Sequence, residues 1–405
     1  MTDIPDPIAA LMASPQYRRA VETLDREHDR TVADIIALTQ IPSPPFGEAA
    51  RAQAYLDLLR AHGLDEVEMD AIGNVMGIRR GAGNGPMIAV AAHLDTVFPA
   101  GTDVTVRREG TKLFAPGVGD DTRSLAVLLA YIRALDAAGI RTHSDLLFVG
   151  DVGEEGLGDL RGVRHLFTAG KYRDRISAFF TVDSPDIETI AVGGIGSKRY
   201  HVTFRGPGGH SFGAFGIVNP MYAMAQAMLE LSRTHVPATP KTTFSASVTG
   251  GGTSINSIPN EVWLDVDLRS QSVDELFRLE ARFHAIVEQA VAAENHARAT
   301  DTGMITAELK LVGDRPAGAT AMDSDIVKLS TAAIAAHGFK PHHEFSSTDA
   351  NIPMSVGIPA IKIGSGGSGG RGHSLDEWID VEQTASVRGM AAGLTAILSI
   401  AGVVS

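Results

Sequence analysis

The chain has no cysteine among its 405 residues, which excludes disulfides, thiolate metal ligands and a cysteine nucleophile. A metal site must therefore use histidine and carboxylate side chains, and these suit zinc, manganese or cobalt. Aromatic residues are scarce at 6%, yet hydrophobic residues reach 44%, enough for a substantial core. The length allows one large domain or two ordinary ones.

Positive charge is also in short supply. Lys and Arg number 35 against 48 Asp and Glu, which gives a net charge of −13 and argues against a nucleic-acid partner. The sequence has no run of about 20 apolar residues, so it predicts no transmembrane helix. The first residues have neither the basic start nor the apolar segment of a secretion signal. We therefore expect a cytoplasmic protein with no membrane partner.

Four short apolar runs are each followed by residues that can bind a metal. Such continuous runs are typical of strands covered on both faces, as in a parallel sheet. Ligands bind beyond the carboxyl ends of such strands, so we expect these groups along one sheet edge. The runs and their followers are 87–92 with His93 and Asp95, 146–150 with Glu154 and Glu155, 178–182 with Asp183, and 360–363 with His373.

A glycine-rich acidic turn at 117–124, GVGDDTRS, stands before the apolar run 125–132. Adjacent carboxylates repel each other and normally face water, but this turn leads into what reads as a buried helix. A cation is the simplest explanation for Asp120 and Asp121 at such a place.

Spacing separates the roles of neighbouring residues. His93 and Asp95 are two apart, so on extended backbone their side chains share a face. One of them can bind metal while the other steadies it. The adjacent Glu154 and Glu155 should point opposite ways, one to a metal and one to the substrate as general base. With Asp183 and His373, the ligands suffice for two metals that share a carboxylate.

The order of elements predicts an α/β fold with a second domain inserted into it. Strands and helices alternate as far as 193, which is typical of a mostly parallel sheet with flanking helices. The order then becomes strand, helix, strand, strand, helix, strand, as in a ferredoxin-like α+β module. We predict a discontinuous catalytic domain, 1–193 and 314–405, and an inserted domain, 194–313.

Taken in order, the motifs resemble a family, the co-catalytic zinc peptidases and deacylases that include aminoacylase, carboxypeptidase G, acetylornithine deacetylase and peptidase T. The resemblance covers nearly the whole chain. It departs from the family pattern at Thr122-Arg123, where Lys-Gly is usual, and at Gly153, where Asp is usual. The matching motifs are His93-Leu-Asp95-Thr, Gly119-Asp120-Asp121, Glu154-Glu155-Gly156, Asp183, Gly209-His210, Asn256-Ser-Ile-Pro259, Asp267-Leu-Arg269 and Gly372-His373.

The resemblance implies a zinc-exopeptidase-like catalytic domain with two divalent metal ions per chain. Zinc is the expected metal, with cobalt or manganese as alternatives. Asp120 would bridge the ions, and Glu154 would be the general base. His93 and Asp183 would bind one metal ion, and Glu155 and His373 would bind the other. Asp95 would orient the His93 ring.

For the inserted domain, the resemblance implies a lid and a homodimer contact. His210 would stabilise the oxyanion, often across the dimer, and Asn256 and Arg269 would contact substrate. Two plainer interpretations stay open. His210 could be an ordinary loop residue, and Arg269 could pair with Asp267 on a strand surface.

The resemblance favours hydrolysis of amide bonds in small peptides. Family members with Asp at the position of Asp183 tend to be amino- or dipeptidases, whereas Glu tends to mark deacylases and carboxypeptidases. An N-acyl-amino-acid deacylase or a carboxypeptidase with the same site is the alternative. A non-catalytic binding protein that keeps the fold is a remote third.

Overall fold

The structure is a computed structural model that describes residues 6–83 and 85–404. Its contacts divide the chain into two units, the first made of Met1–Gly194 and Ala319–Ser405 and the second of Ile195–Gly318. The chain returns to the first unit at 319 rather than at the predicted 314, because the last long strand of the second unit continues to Arg315.

The described residues contain helices in both units. The α-helices are α1 (Asp6–Ala13), α2 (Pro15–Arg26), α3 (His28–Thr39), α4 (Ala49–Ala61), α5 (Arg123–Ala137), α6 (Arg161–Thr168), α7 (Pro220–Ser232), α8 (Val273–Ala297), α9 (Asp325–Ala336), α10 (Asn351–Ser355) and α11 (Gln383–Ala401).

The strands of the described residues also fall in both units. They are β1 (Asp65–Met69), β2 (Val75–Arg79), β3 (Met87–His93), β4 (Arg107–Glu109), β5 (Lys112–Phe114), β6 (Asp145–Asp151), β7 (Ile176–Val182), β8 (Thr189–Gly194), β9 (Gly196–Arg205), β10 (Gly209–His210), β11 (Thr242–Gly251), β12 (Ser257–Ile258), β13 (Glu261–Ser270), β14 (Thr306–Arg315), β15 (Gly318–Ala319), β16 (His342–Ser346), β17 (Ala360–Ile363), β18 (Ser368–Gly370) and β19 (Trp378–Asp380).

The main sheet of the first unit has a parallel centre and antiparallel flanks. Its strand order includes β1-β2-β6-β3-β7-β17-β8. The neighbours β6, β3, β7 and β17 run parallel, and β1 and β2 pair antiparallel with the strands beside them. Strand β8 pairs antiparallel with β17 and parallel with β16. The predicted α/β fold with a mostly parallel sheet is confirmed. The carboxyl ends of the four central strands therefore lie at one edge.

Both faces of this sheet are buried, as the apolar runs predict. Along β3, Ile88 and Val90 join one core cluster while Met87 and Ala89 join another, since successive side chains point to opposite faces. Helix α11 is long and apolar enough to cross a membrane by length and composition, but 72% of its most apolar window is buried in the protein. That burial is typical of a core helix, and one such helix is weak support for a membrane span.

The second unit is an antiparallel sheet, β11-β13-β9-β14, with α7 and α8 packed on one face. Strand β13 alternates between buried and half-exposed side chains along nearly its whole length, which is the pattern of a sheet with one covered face. Its element order is the one that the sequence predicts for the ferredoxin-like module.

Some elements differ from the sequence prediction. Apolar residues recur at helical spacing over 16–39, which predicts one helix, but the structure has two, since α2 ends at Arg26 and α3 begins at His28. Strand β16 was not predicted, since its exposed sequence HHEFS has no apolar alternation.

Candidate metal centre

The edge formed by the central strands carries the acidic and histidine side chains. His93 is the last residue of β3 and Asp151 the last of β6. Asp183 follows β7 directly, and its backbone N–H donates to the carbonyl of Ile363 at 3.0 Å, which ties the ends of β7 and β17 together. All of these residues belong to the first unit.

Asp120 and Asp121 lie in a short irregular turn, Val118–Thr122, just before α5. Neither residue has helical backbone angles, and the peptide bond between them is cis. The turn projects Asp120 toward the edge, while Asp121 is fully buried beneath it and accepts a hydrogen bond from the backbone N–H of His93 at 3.1 Å.

The Asp120 carboxylate stands between two histidines. Its Oδ1 lies 3.0 Å from Nε2 of His93, and its Oδ2 lies 3.1 Å from Nε2 of His373. His373 also approaches Glu155, whose Oε1 is 3.0 Å from the same ring nitrogen. One carboxylate therefore presents one oxygen to each of two nitrogen donors.

The potential ligand atoms form three overlapping groups, and the atoms of each lie within 4.8 Å of one another. Histidine nitrogen and carboxylate oxygen are donors that zinc, cobalt and manganese accept. The residues thus fit a pair of divalent ions. The groups are His93 with Asp121 and Asp183, His93 with Glu154 and Glu155, and Asp120 with Glu155 and His373.

Burial and charge also fit a cation site. Burial raises the pKa of Asp183, and the neighbouring Asp120 raises it further. The pKa of Asp121 is likewise raised well above its usual range, mainly by burial and in part by Asp183. Hydrogen bonding to Asp120 and Glu155 raises the pKa of His373 to about 11. Carboxylates crowded into a buried place need positive charge, and divalent ions would supply it.

Asp95 makes contacts that its predicted role does not include. Its carboxylate accepts the backbone N–H groups of Glu154 and Glu155 at 3.0 and 2.8 Å. Nδ1 of His93 lies 3.0 Å from the backbone carbonyl oxygen of Asp95 and 3.9 Å from Oδ1 of the Asp95 carboxylate. The two side chains thus lie close together, as their spacing predicts, and orientation of the His93 ring by the Asp95 carboxylate stays a prediction.

Glu154 and Glu155 do not point to opposite sides, as extended backbone would require. Both carboxylates reach the same group with His93. The physical reason is that β6 ends at Asp151 and the chain turns at Gly153, where φ is +72°. Asp95 fixes this turn by accepting the two hydrogen bonds from the backbone N–H groups, so it positions both glutamates.

The two departures from the family pattern have structural explanations. A Cβ atom at Gly153 would stand 1.8 Å from Nη1 of Arg161, whose guanidinium pairs with Glu48 at 2.8 Å. An aspartate there would require Arg161 to move and would be strained by the positive φ of 72°. Arg123 is fully buried and donates to Ser386 Oγ at 3.2 Å, so it packs inside the first unit rather than facing the edge.

The substrate residues of the sequence prediction all lie in the second unit. His210 is exposed and pairs with Ser257, and the next residue, Ser211, donates its N–H to the carbonyl of Asn256 at 2.9 Å. Arg269 lies near the far end of β13, where its Nε donates to Asp267 at 2.6 Å. The unit therefore brings His210 and Asn256 together, whereas Arg269 stands eight residues after the first residue of β13, roughly 25 Å along that strand from Glu261.

Several residues at the edge were not singled out from the sequence. Lys362 on β17 donates to Ser184 Oγ at 2.9 Å, and its charge lies close enough to lower the pKa of Asp183 against the effect of burial. Glu377 accepts backbone N–H groups from the Asp120 turn. A sequence pattern does not reveal either role, because the partners are a hydroxyl and backbone amides distant in the chain.

This fold and this grouping of side chains are those of the two-metal peptidases and deacylases that the motifs resemble. A sequence model of peptidase family M20/M25/M40 matches residues 89–397, and the chain belongs to this family.

Curated relatives match over parts of their length. A succinyl-diaminopimelate desuccinylase of Nitrosospira multiformis is 27% identical over 280 residues, which are 63% of this chain and 73% of that protein. A Pyrococcus abyssi protein named for LysW-lysine and LysW-ornithine hydrolysis is 32% identical over 138 residues, 34% of this chain and only 36% of its own length.

Solved structures share the fold over nearly the whole chain. The aminopeptidase PepT of Bacillus cereus has a TM-score of 0.72 at 20% identity and covers 91% of this chain and 98% of its own. The YXEP protein of Bacillus subtilis, a dinuclear metal binding peptidase of the M20 family, has a TM-score of 0.66 at 17% identity, with coverages of 92% and 99%. At these identities the likeness concerns the fold.

Proposed function

We propose that the chain is a hydrolase that uses two divalent metal ions to cleave amide bonds of small peptides. The observation that carries this proposal is the Asp120 carboxylate, with one oxygen facing His93 and the other facing His373. A carboxylate shared between two nitrogen donors is the arrangement expected of a bridging ligand in a two-metal site.

The side chains around Asp120 supply the remaining ligands. His93 and Asp183 would hold one ion, and Glu155 and His373 the other. Zinc is the metal we propose, with cobalt or manganese as alternatives, because the donors are imidazole nitrogen and carboxylate oxygen. When bound, such ions polarise a scissile carbonyl and make water nucleophilic near neutral pH.

Glu154 is the proposed general base. It is buried beside His93 and Glu155, and Asp95 fixes its backbone. Its carboxylate would take a proton from the attacking water and return it to the leaving amine. By accepting hydrogen bonds from both backbone N–H groups, Asp95 would hold Glu154, the base, and Glu155, the neighbouring metal ligand, in fixed relative positions.

The second unit is the proposed lid and dimer contact. The chain from Asn256 enters β13 at Glu261, and Arg269 lies near the opposite end of that strand, roughly 25 Å along it from Glu261. Two copies could deliver both sets to one site, His210 and Asn256 from one chain and Arg269 from the other. This separation supports a homodimer in which His210 acts on the partner's substrate.

A second candidate is deacylation of N-acyl amino acids with the same residues. It is favoured by the desuccinylase name of a relative that matches over 63% of this chain. The identity of Asp183 favours the peptidase. A cytoplasmic location and the lack of nucleic-acid or membrane partners stay predictions.

A paired substrate panel tests the proposal. Metal-free protein would be reloaded with zinc, cobalt or manganese and its metal content measured. It would then be assayed against di- and tripeptides and against N-succinyl and N-acetyl amino acids. Faster hydrolysis of peptides supports the leading proposal, and faster hydrolysis of acyl amino acids supports the second. A protein that binds two ions yet cleaves neither panel would instead be a binding protein.

A further inference from the structure

Glu377 is a buried carboxylate outside the proposed ligand set. It lies four residues after His373, in the segment that leads from β18 to β19. The residue is only 2% exposed. No Lys, Arg or His of the described residues forms an ion pair with it. A carboxyl group at such a depth must be stabilised by hydrogen bonds.

Those hydrogen bonds come from the backbone of the Asp120 turn. Oε1 of Glu377 accepts the N–H groups of Gly119 at 2.7 Å and Asp120 at 2.9 Å, and Oε2 accepts that of Gly117 at 2.9 Å. Gly117 has a φ of +76°, which bends the chain so that its amide joins the others. Amides that converge in this way form a concavity suited to acceptor oxygens, and here the carboxyl group of Glu377 occupies it.

We propose that Glu377 is a positioning residue that fixes the Asp120 turn against the His373 segment and so sets the affinity of the metal site. His373 and Asp120 come from segments far apart in the sequence, yet both must meet the same ion. Glu377 belongs to the segment that carries His373, and it accepts three hydrogen bonds from the backbone of the segment that carries Asp120. The inference rests on the two-metal site of the proposed function.

A purely structural role would explain the contacts less well. A buried carboxylate loses its hydration, and a neutral side chain could fill the same space at a lower desolvation cost. Three amide donors directed at one carboxylate restrain both the position and the orientation of the turn. The acceptor is needed where a ligand on that turn must be held accurately.

The first test is Glu377→Gln, which keeps the shape but replaces one acceptor oxygen with an NH₂ group. Whichever way the glutamine amide is flipped, its NH₂ group faces at least one of the three backbone N–H donors, so a hydrogen bond is lost. Asp376→Asn is the matched control, because Asp376 is the neighbouring residue and its side chain is 75% exposed. Binding of Zn²⁺ and Co²⁺ to the metal-free proteins would be measured by calorimetry, together with the visible spectrum of the Co²⁺ form.

We expect Glu377→Gln to bind at least one ion 10–100-fold more weakly, the usual effect of losing a residue that orients a ligand. Its Co²⁺ spectrum should change, while Asp376→Asn should match the wild type. If Glu377→Gln binds two ions with wild-type affinity and spectrum, the inference is wrong. If the wild type binds no metal, the proposed function fails first, and this inference fails with it.

A second variant approaches the same contact from the other side and applies if Glu377→Gln does not fold. A Cβ atom at Gly119 would lie 3.2 Å from Oε1 of Glu377 and 3.0 Å from Ile379 Cγ2, so Gly119→Ala presses on the carboxylate without removing it. We expect weaker metal binding in this variant too. A folded Gly119→Ala protein with unchanged affinity for both ions would contradict the inference.

Discussion

Asp120 and His373 are 253 positions apart in the sequence, yet Oδ2 of one lies 3.1 Å from Nε2 of the other. Asp120 comes after β5, and His373 comes after β17, the last strand of the parallel centre in chain order. Folding of the first unit therefore assembles the site. The other oxygen of the same carboxylate faces His93. A change at Asp120 should accordingly affect both halves of the centre.

The first prediction concerns this shared carboxylate. Asp120→Ala should lose bound metal as well as activity, because both ions depend on the same side chain. Elemental analysis after dialysis against dilute zinc would measure metal per chain. Asp103→Ala is the control, since Asp103 is exposed and bonds only locally to Thr105. Two ions still bound to Asp120→Ala would show that it does not bridge them.

The second prediction concerns the proposed base. Glu154→Gln should keep its fold and two metal ions while turnover falls by about 10²–10⁴-fold, the usual range for general acid–base catalysis. The amide preserves size and hydrogen bonding but cannot accept the proton. Steady-state kinetics with metal analysis would check this, with the exposed Glu109→Gln as control. A variant with two ions and near-wild-type turnover would assign the base elsewhere.

The third prediction concerns pH and a histidine outside the site. Burial, with a contribution from Arg388, lowers the pKa of His337 from 6.5 to about 4. The ring is neutral in the fold and lies 3.1 Å from the Tyr17 hydroxyl and 3.0 Å from that of Thr395. Below about pH 6.5, His337 is protonated in the unfolded chain, whereas in the folded chain it stays neutral until the pH falls to about 4. Stability is thus complete above 6.5 and is lost as the pH falls.

Between pH 7 and pH 5 this histidine should account for a loss of roughly 2 kcal/mol in the free energy of unfolding. In His337→Gln that part of the loss should disappear, because glutamine does not titrate. Urea unfolding at both pH values would measure it, with the exposed His343→Gln as control. An unchanged difference between the two pH values in His337→Gln would mean that His337 does not carry this effect.

The parallel centre of the sheet could be predicted because its strands are buried on both faces and so read as uninterrupted apolar runs. Strand β3 and its neighbours follow the sequence prediction within a residue or two. The break between α2 and α3 could not be predicted, since apolar residues keep their helical spacing across Glu27. Where packing rather than composition decides, as in the exposed β16, the sequence has no signal.

The side chains at the sheet edge could be collected from the sequence, but not all of their contacts. Spacing arguments assume regular backbone, and the argument that Glu154 and Glu155 point opposite ways failed because both residues stand beyond the last residue of β6. Glu377 was missed for a different reason. Its partners are backbone amides of a distant turn, and backbone amides occur at every position but proline.

The last prediction joins the second unit to the chemistry. His210 is exposed, and its Nδ1 accepts the backbone N–H groups of Phe212 and Gly213 at 3.2 Å, which leaves Nε2 as the nitrogen that can donate outward. A preorganised donor to a developing oxyanion contributes roughly 10²–10³ in turnover. His210→Ala should cost about that much while leaving metal content unchanged. His235→Ala, which has no place in the motifs, is the control.

If two chains share their sites, mixing His210→Ala with Glu154→Gln should restore activity. Each mixed dimer would contain one site with an intact Glu154 from one chain and an intact His210 from the other. At equal concentrations and free exchange, half of the dimers are mixed and half of their sites are intact, so recovery should approach about one quarter of wild-type turnover per chain. Exchange would be shown separately with differently tagged chains. No recovery once exchange is established would exclude the arrangement across the dimer and require His210 to act within its own chain.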